Sequence, residues 1–195
     1  MNKRDLEFLY EIGTLKSMKR FNQHVSLDTS SVAEHMYRVI WLALLVSRME
    51  KAGDEAVIVK MAMAHDLAET RTSDLGYIQK VYVEADEDRA LGDTFEGTSL
   101  QDYYNDVLKT YEARDSIEAK IVKDADNLDV DLELKEMAAN GFAVPPEWGG
   151  FRRMIRDEKL YTESARQIWD QIQKSSIHDW HTKANKWLKL PNAGK

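Results

Sequence analysis

The 195-residue chain contains no cysteine, which excludes a disulfide framework and any thiolate ligand. Metal chemistry in this chain must therefore use imidazole and carboxylate, and the missing thiols fit a cytoplasmic setting. Proline is scarce: there are three, with Pro145 and Pro146 adjacent, and glycine-rich hairpin signals are missing. Long apolar runs are missing as well. The longest, VIWLALLV from Val39, is too short to span a bilayer, so no membrane partner is expected. The opening MNKRDLEFLYEIG becomes charged and amphipathic at once, unlike a signal peptide. Excess positive charge is also lacking. A formal net charge of −7 argues against a surface that coats a nucleic-acid polymer. It leaves a small phosphate substrate open, because a dication and a few arginines reverse the sign locally.

What is present is a globular composition, 43% hydrophobic and 31% charged. The length suits one domain with a substantial core. Nearly all of it reads as helix. Leu6, Leu9, Ile12 and Leu15 share a helical stripe ending near Lys19, and a polar interval from Asn22 to Thr29 follows. Ser31 and Glu34 have the Ser-x-x-Glu spacing of a capping box, opening a helix that carries His35, Val39, Leu42 and Val46 inward. Asp54 opens the next, through Val57, Met61, Ala64 and His65 to about Thr70. Further helices are predicted over 75–90, 100–114, 116–139, 151–157 and 162–173, with turns at 92–98. NGFAVPPEWGG reads as a loop from its glycine and proline density.

Four residues stand out: His35 in SVAEH, the pair His65-Asp66 in MAMAHDLAET, and Asp126 in IVKDADNLD. On a helix, neighbouring residues are about 100° apart, so His65 and Asp66 can both reach one ion beside it. Glu69 lies a turn further on the same side, and Asp74 follows in TSDLG, either as a helix cap or pointing into the site. Two imidazoles and two carboxylates hold a divalent cation and leave positions open for water and substrate, the pattern of a catalytic rather than a structural site. Each residue has a plainer reading. His35 could be a packed helix histidine, Asp126 a solvated acid, Glu69 a surface partner of Arg71 or Arg38, and Arg20 a charge closing a helix. A His-Asp dipeptide alone means little, since His178-Asp179 is a second one, read as an amphipathic surface or interface feature. The joint occurrence on apolar helices matters more, because a buried charged set is costly without a cation.

The order H…HD…D resembles the HD-domain superfamily of metal-dependent phosphohydrolases. SVAEH, HDLAE, TSDLG and KDAD together resemble its 5′-deoxynucleotidase branch, over roughly residues 5 to 140. Lys19-Arg20-Phe21 stands where that branch has an arginine beside a tryptophan. The resemblance implies an all-α HD-domain helical bundle: one domain over 1–190, with a core at about 5–140, a C-terminal helical extension at 150–190 and a frayed tail at 191–195. It implies His35, His65, Asp66 and Asp126 as metal ligands. Glu69 would position or protonate near the scissile phosphate, and Asp74 would contact the sugar or donate a proton. Arg20 would grip the phosphate with its planar fork of donors, and Phe21 would pack against sugar or base. One divalent transition metal is expected, with Mn, Co, Ni, Fe and Zn all suited to the mixed donor set. The implied activity is removal of the 5′-phosphate from nucleoside, preferably deoxynucleoside, monophosphates. Alternatives are a triphosphate, a cyclic nucleotide or (p)ppGpp as substrate, or a non-catalytic nucleotide sensor. A homodimer is expected, with Trp169, Trp180 and Trp187 as candidate interface residues.

Overall fold

The structure, a computed structural model, describes residues 2–24 and 29–182. Trp187 and the 191–195 tail lie outside these residues. The described chain is helical throughout, and its one β-type pairing is an isolated antiparallel bridge between Lys19 and Ser31. In order, the helices are α1 (Lys3–Ile12), α2 (Val32–Glu50), α3 (Glu55–Ala64), α4 (Glu69–Thr72), α5 (Glu87–Phe95), α6 (Gln101–Tyr103), α7 (Lys109–Ala113), α8 (Ile117–Ala139), α9 (Pro146–Met154), α10 (Glu163–Lys174) and α11 (Asp179–Thr182). A π-helical turn at Tyr104–Leu108 joins α6 to α7, and another at Ile155–Lys159 extends α9.

The long helices start where their polar caps dictate. Ser31 accepts from the Glu34 amide while Glu34 reaches back to Ser31, a complete capping box. Asp54 accepts from the amides of Ala56 and Val57, Ser116 from Ala119, and Thr162 from Ala165. Such caps are each worth about 1 kcal/mol. Two hydrophobic clusters fill the interior. Val39, Leu42 and Val46 of α2 pack with Ile58 and Met61 of α3, Ile121 and Leu128 of α8, and Ile168 and Trp169 of α10. Phe8, Leu15, Val32, Met36, Leu67, Leu91 and Phe95 form the second. The α10 helix belongs to the first cluster rather than lying beside it. Asp124 of α8 fastens it there, accepting from the amides of Tyr161 and Thr162 at 2.7 and 2.8 Å and from the Thr162 hydroxyl.

Four expectations need correction. No helix runs from Leu75 to Ala90: a short 3₁₀ turn at Gln79–Val81 is followed by irregular chain, and α5 starts only at Glu87. Asp86 accepts from the Arg89 amide and sets that start. The NGFAVPPEWGG segment is loop only to Pro145, because Pro146 takes the first helical position, where a missing N–H costs nothing. On α1, Leu6 and Leu9 face outward and Phe8 is the buried residue, since the chain tightens into a 3₁₀ turn at Gly13–Ser17 before delivering Leu15. Finally, α3 ends at Ala64, and His65 and Asp66 occupy a tight turn leading into α4.

Candidate active site

His35 sits at the junction of the two clusters, between Val32 and Met36 on one side and Val39 on the other, and is fully buried. His65 meets it from the α3–α4 turn, where amides bond three residues back: Leu67 to Ala64 and Glu69 to Asp66, both at 3.1 Å. This tightening keeps His65, Asp66 and Glu69 at one spot. The two Nε2 atoms lie 3.3 Å apart. The Asp66 Oδ2 is 3.2 Å from the His65 Nε2 and 3.4 Å from that of His35, and the Asp126 Oδ1 is 3.3 Å from the His35 Nε2. His35, His65 and Asp126 each present a ligand atom within 4.8 Å of the others.

The outer nitrogens settle which inner atoms carry lone pairs. The His65 Nδ1 lies 2.9 Å from the Ala62 carbonyl, which can only accept, so Nδ1 carries the proton. The His35 Nδ1 is 2.6 Å from Asp129, again an acceptor. Two neutral imidazoles so oriented aim their Nε2 lone pairs at the same space, beside two carboxylates. Such an arrangement is repulsive until a cation or a proton enters it. His35 responds accordingly. Burial and Arg20 oppose its charge, yet hydrogen bonds to Asp126, Asp129 and Asp66 raise its pKa well above the usual histidine range. The donor set therefore fits a divalent metal. One further buried atom points the same way: the Glu69 Oε2 has no hydrogen-bond partner. Glu69 pairs with neither candidate arginine, because Arg71 is bound to Glu11 and Arg38 to Asp129 and Glu136. Burial, reinforced by Asp66 and Asp74, pushes its carboxyl up to about 9.

Arg20 is buried, its Nε donating to Glu133 at 3.1 Å, with Nη1 4.0 Å from Asp66. The Arg20 amide bonds the Ser30 carbonyl and Val32 bonds Met18, so both ends of the 20–30 segment are pinned beside α2. Phe21 follows with a left-handed φ of 54°. Asp74 caps no helix. Together with Arg20 it borders both the metal-ligand cleft and a larger cavity behind it. Burial, with Asp66 adding to it, raises the Asp74 pKa. The structure thus brings together His35, His65, Asp66, Asp126, Glu69, Asp74 and Arg20, while His178-Asp179 stands apart near the end of the described chain.

Sequence reading missed the supporting layer. Along α8 the acids recur at helical spacing: Asp126 faces the cleft, Asp129 accepts from His35 and Arg38, Glu133 accepts from Arg20 and Ser30, and Glu136 accepts from Arg38. That 3-4-3 rhythm was a readable signal that these acids share one face with Asp126. Lys123, whose Nζ lies 2.7 Å from the Asp126 Oδ2, and Arg114, stacked 3.4 Å over the Tyr111 ring, also line the cleft. Lys123 already stood in the KDAD motif three residues before Asp126, whereas the place of Arg114 depends on long-range folding and carried no local signal.

Known proteins are similar to this chain in sequence and in fold. The HD-domain family model matches residues 12–174. A relative from Dictyostelium discoideum named 5′-deoxynucleotidase HDDC2 is 30% identical over 146 residues, covering 67% of this chain and 76% of the relative. A conserved hypothetical protein from Pyrococcus furiosus superposes with a TM-score of 0.73 at 26% identity, covering 87% of this chain and 99% of that one. The cyanophage S-2L HD phosphohydrolase DatZ, solved with dA and one catalytic Zn2+ ion, shares the fold with a TM-score of 0.57 at 18% identity, covering 85% and 96%.

Proposed function

The chain belongs to the HD-domain family, and on that premise we propose that it is a metal-dependent phosphohydrolase that removes the 5′-phosphate from nucleoside monophosphates, deoxynucleotides preferred. The observation that carries this reading is the pair of Nε2 atoms 3.3 Å apart, their Nδ1 protons already committed, beside Asp66 and Asp126. His35, His65, Asp66 and Asp126 would hold one divalent transition metal. Such an ion supplies positive charge against the phosphoryl oxygens and acidity to a water, lowering its pKa from about 15.7 toward about 7.

The chain's own groups do the rest. Arg20, fixed by Glu133, presents a guanidinium to the phosphate. Glu69, whose carboxyl is raised in the metal-free site by burial, with Asp66 and Asp74 adding to it, would give a proton to the leaving ester oxygen. Asp74 stands between the cleft and the larger cavity, where the sugar of a bound nucleotide would pass. We also read residues 1–190 as one domain, supported by the family match over 12–174 and by α10 sharing the core of α2, α3 and α8. No described helix is long and apolar enough to cross a membrane, and a cytoplasmic homodimer remains the reading. Trp169 is in the core whereas Trp180 is exposed, and α2 adds further apolar surface for a dimer, with Tyr37, Trp41, Leu45 and Met49 forming an exposed stripe at four-residue spacing. The test is phosphate release from a panel of nucleoside mono- and triphosphates by Mn- or Co-loaded protein. Release from monophosphates, strongest with deoxy forms, is expected. Release from triphosphates alone would replace the substrate assignment.

A further inference from the structure

Behind the metal-ligand cleft lies a second space of about 430 Å³, a size suited to a small organic ligand. The two spaces share a border at Arg20 and Asp74 but differ in chemistry. The cleft side is lined by acids and bases. The far side is walled by Phe21, His24, Tyr77, Trp148 and Phe151. Trp148 is set in place before any ligand arrives: the His24 ring stands edge-on to it at 4.9 Å and 75°, and Phe142 lies 6.3 Å away. The buried charge on that wall is already spent, because Arg152 donates to Asp131 at 3.2 and 2.6 Å and to the Asn127 carbonyl at 2.6 Å.

A 5′-mononucleotide has this same division, an anionic end and a flat aromatic end joined by a sugar. We propose that the aromatic cavity seats the substrate's nucleobase, with Trp148 and Phe151 of α9 as its stacking surfaces. The proposal rests on the nucleotidase reading above and deepens it, naming the residues that separate nucleotides from base-free phosphate esters. A sugar phosphate would engage Arg20 and leave the cavity unfilled. A nucleotide would gain stacking on aromatic faces, and one such contact is worth enough that its removal weakens binding by roughly ten- to a hundredfold.

The test uses the metal-loaded full chain and 2′-deoxyadenosine, which has the base and sugar without the phosphate, followed by calorimetry. Wild-type protein should bind it. Trp148→Ala and Phe151→Ala should each weaken binding at least about tenfold, and Trp148→Phe, which keeps a ring, should restore most of the loss. Phe151 is 53% exposed, so its truncation leaves the core intact and guards against misfolding of the Trp148 variant. Variants that bind like wild type, or a wild type that ignores the nucleoside at millimolar concentration, would overturn the proposal. Phosphate release from dAMP, measured alongside, separates the two readings. Trp148-dependent nucleoside binding without phosphate release keeps the base site and removes the hydrolase. Phosphate release with Trp148-independent binding does the reverse.

Discussion

The two sides of the Arg20–Asp74 border are built on different principles. On the ligand side four of the groups are each braced by a second: His35 by Asp129, His65 by the Ala62 carbonyl, Arg20 by Glu133, Asp126 by Lys123. Those braces sit on α3 and α8, two of the helices that build the larger cluster, so the geometry is set by the core itself. On the cavity side Val130 and Leu134 of α8 form one wall, and the rest comes from the 20–24 turn, the irregular stretch after Asp74, and α9. There, Tyr77 and Phe151 are more than half exposed. Chemistry that tolerates little displacement is mounted on buried helices, while recognition that needs only a flat apolar face is mounted on exposed segments.

That contrast can be broken hardest at the ligands. His65→Ala or Asp66→Ala should abolish bound metal and phosphate release together, with the far-ultraviolet circular dichroism still helical. Retained turnover in either variant would remove the metal from the chemistry. Next comes Glu69→Gln, which should keep the metal yet lower kcat by about 10²- to 10⁴-fold, the usual range for a positioned proton donor. Its second readout is stability without metal. The folded state holds a proton on Glu69 up to about pH 9, whereas the unfolded chain releases it near 4.5. Wild-type stability therefore falls as pH rises between those values, and Gln escapes the loss. The melting temperature of metal-free Glu69→Gln should accordingly gain on wild type from pH 5 to pH 9, and parallel curves would show the carboxyl to be unperturbed. Smaller again is Asp129→Asn, which should weaken metal affinity in a chelator competition about 10- to 100-fold while leaving the ligand set intact. An unchanged affinity would mean that packing alone orients His35.

The same division explains what could be read from the sequence. His35, His65, Asp66 and Asp126 were legible because buried charged residues on apolar helices are costly and so rarely accidental. The α2 and α8 helices were legible for the same reason their caps are: Ser31 and Ser116 stand directly ahead of apolar periodicity. Asp129 and Glu133 share the 3-4-3 face of Asp126, a signal masked by the neighbouring acids Asp124 and Asp131 on the same helix. The 75–86 stretch misled because its run of Tyr77, Ile78, Val81 and Tyr82 has helical spacing, yet all four are exposed, so no tertiary packing sustains a helix there. Trp148 was read as loop because the glycines and prolines around it outweighed the capping role of Pro146.

The most direct measurement is to strip the purified protein of metal with a chelator, reload it with Mn, Co or Zn, and follow both bound metal per chain and phosphate released from dAMP. One ion per chain, with release abolished by stripping and restored on reloading, is the expected result. Release that survives complete removal of metal would contradict the site built around His35, His65, Asp66 and Asp126.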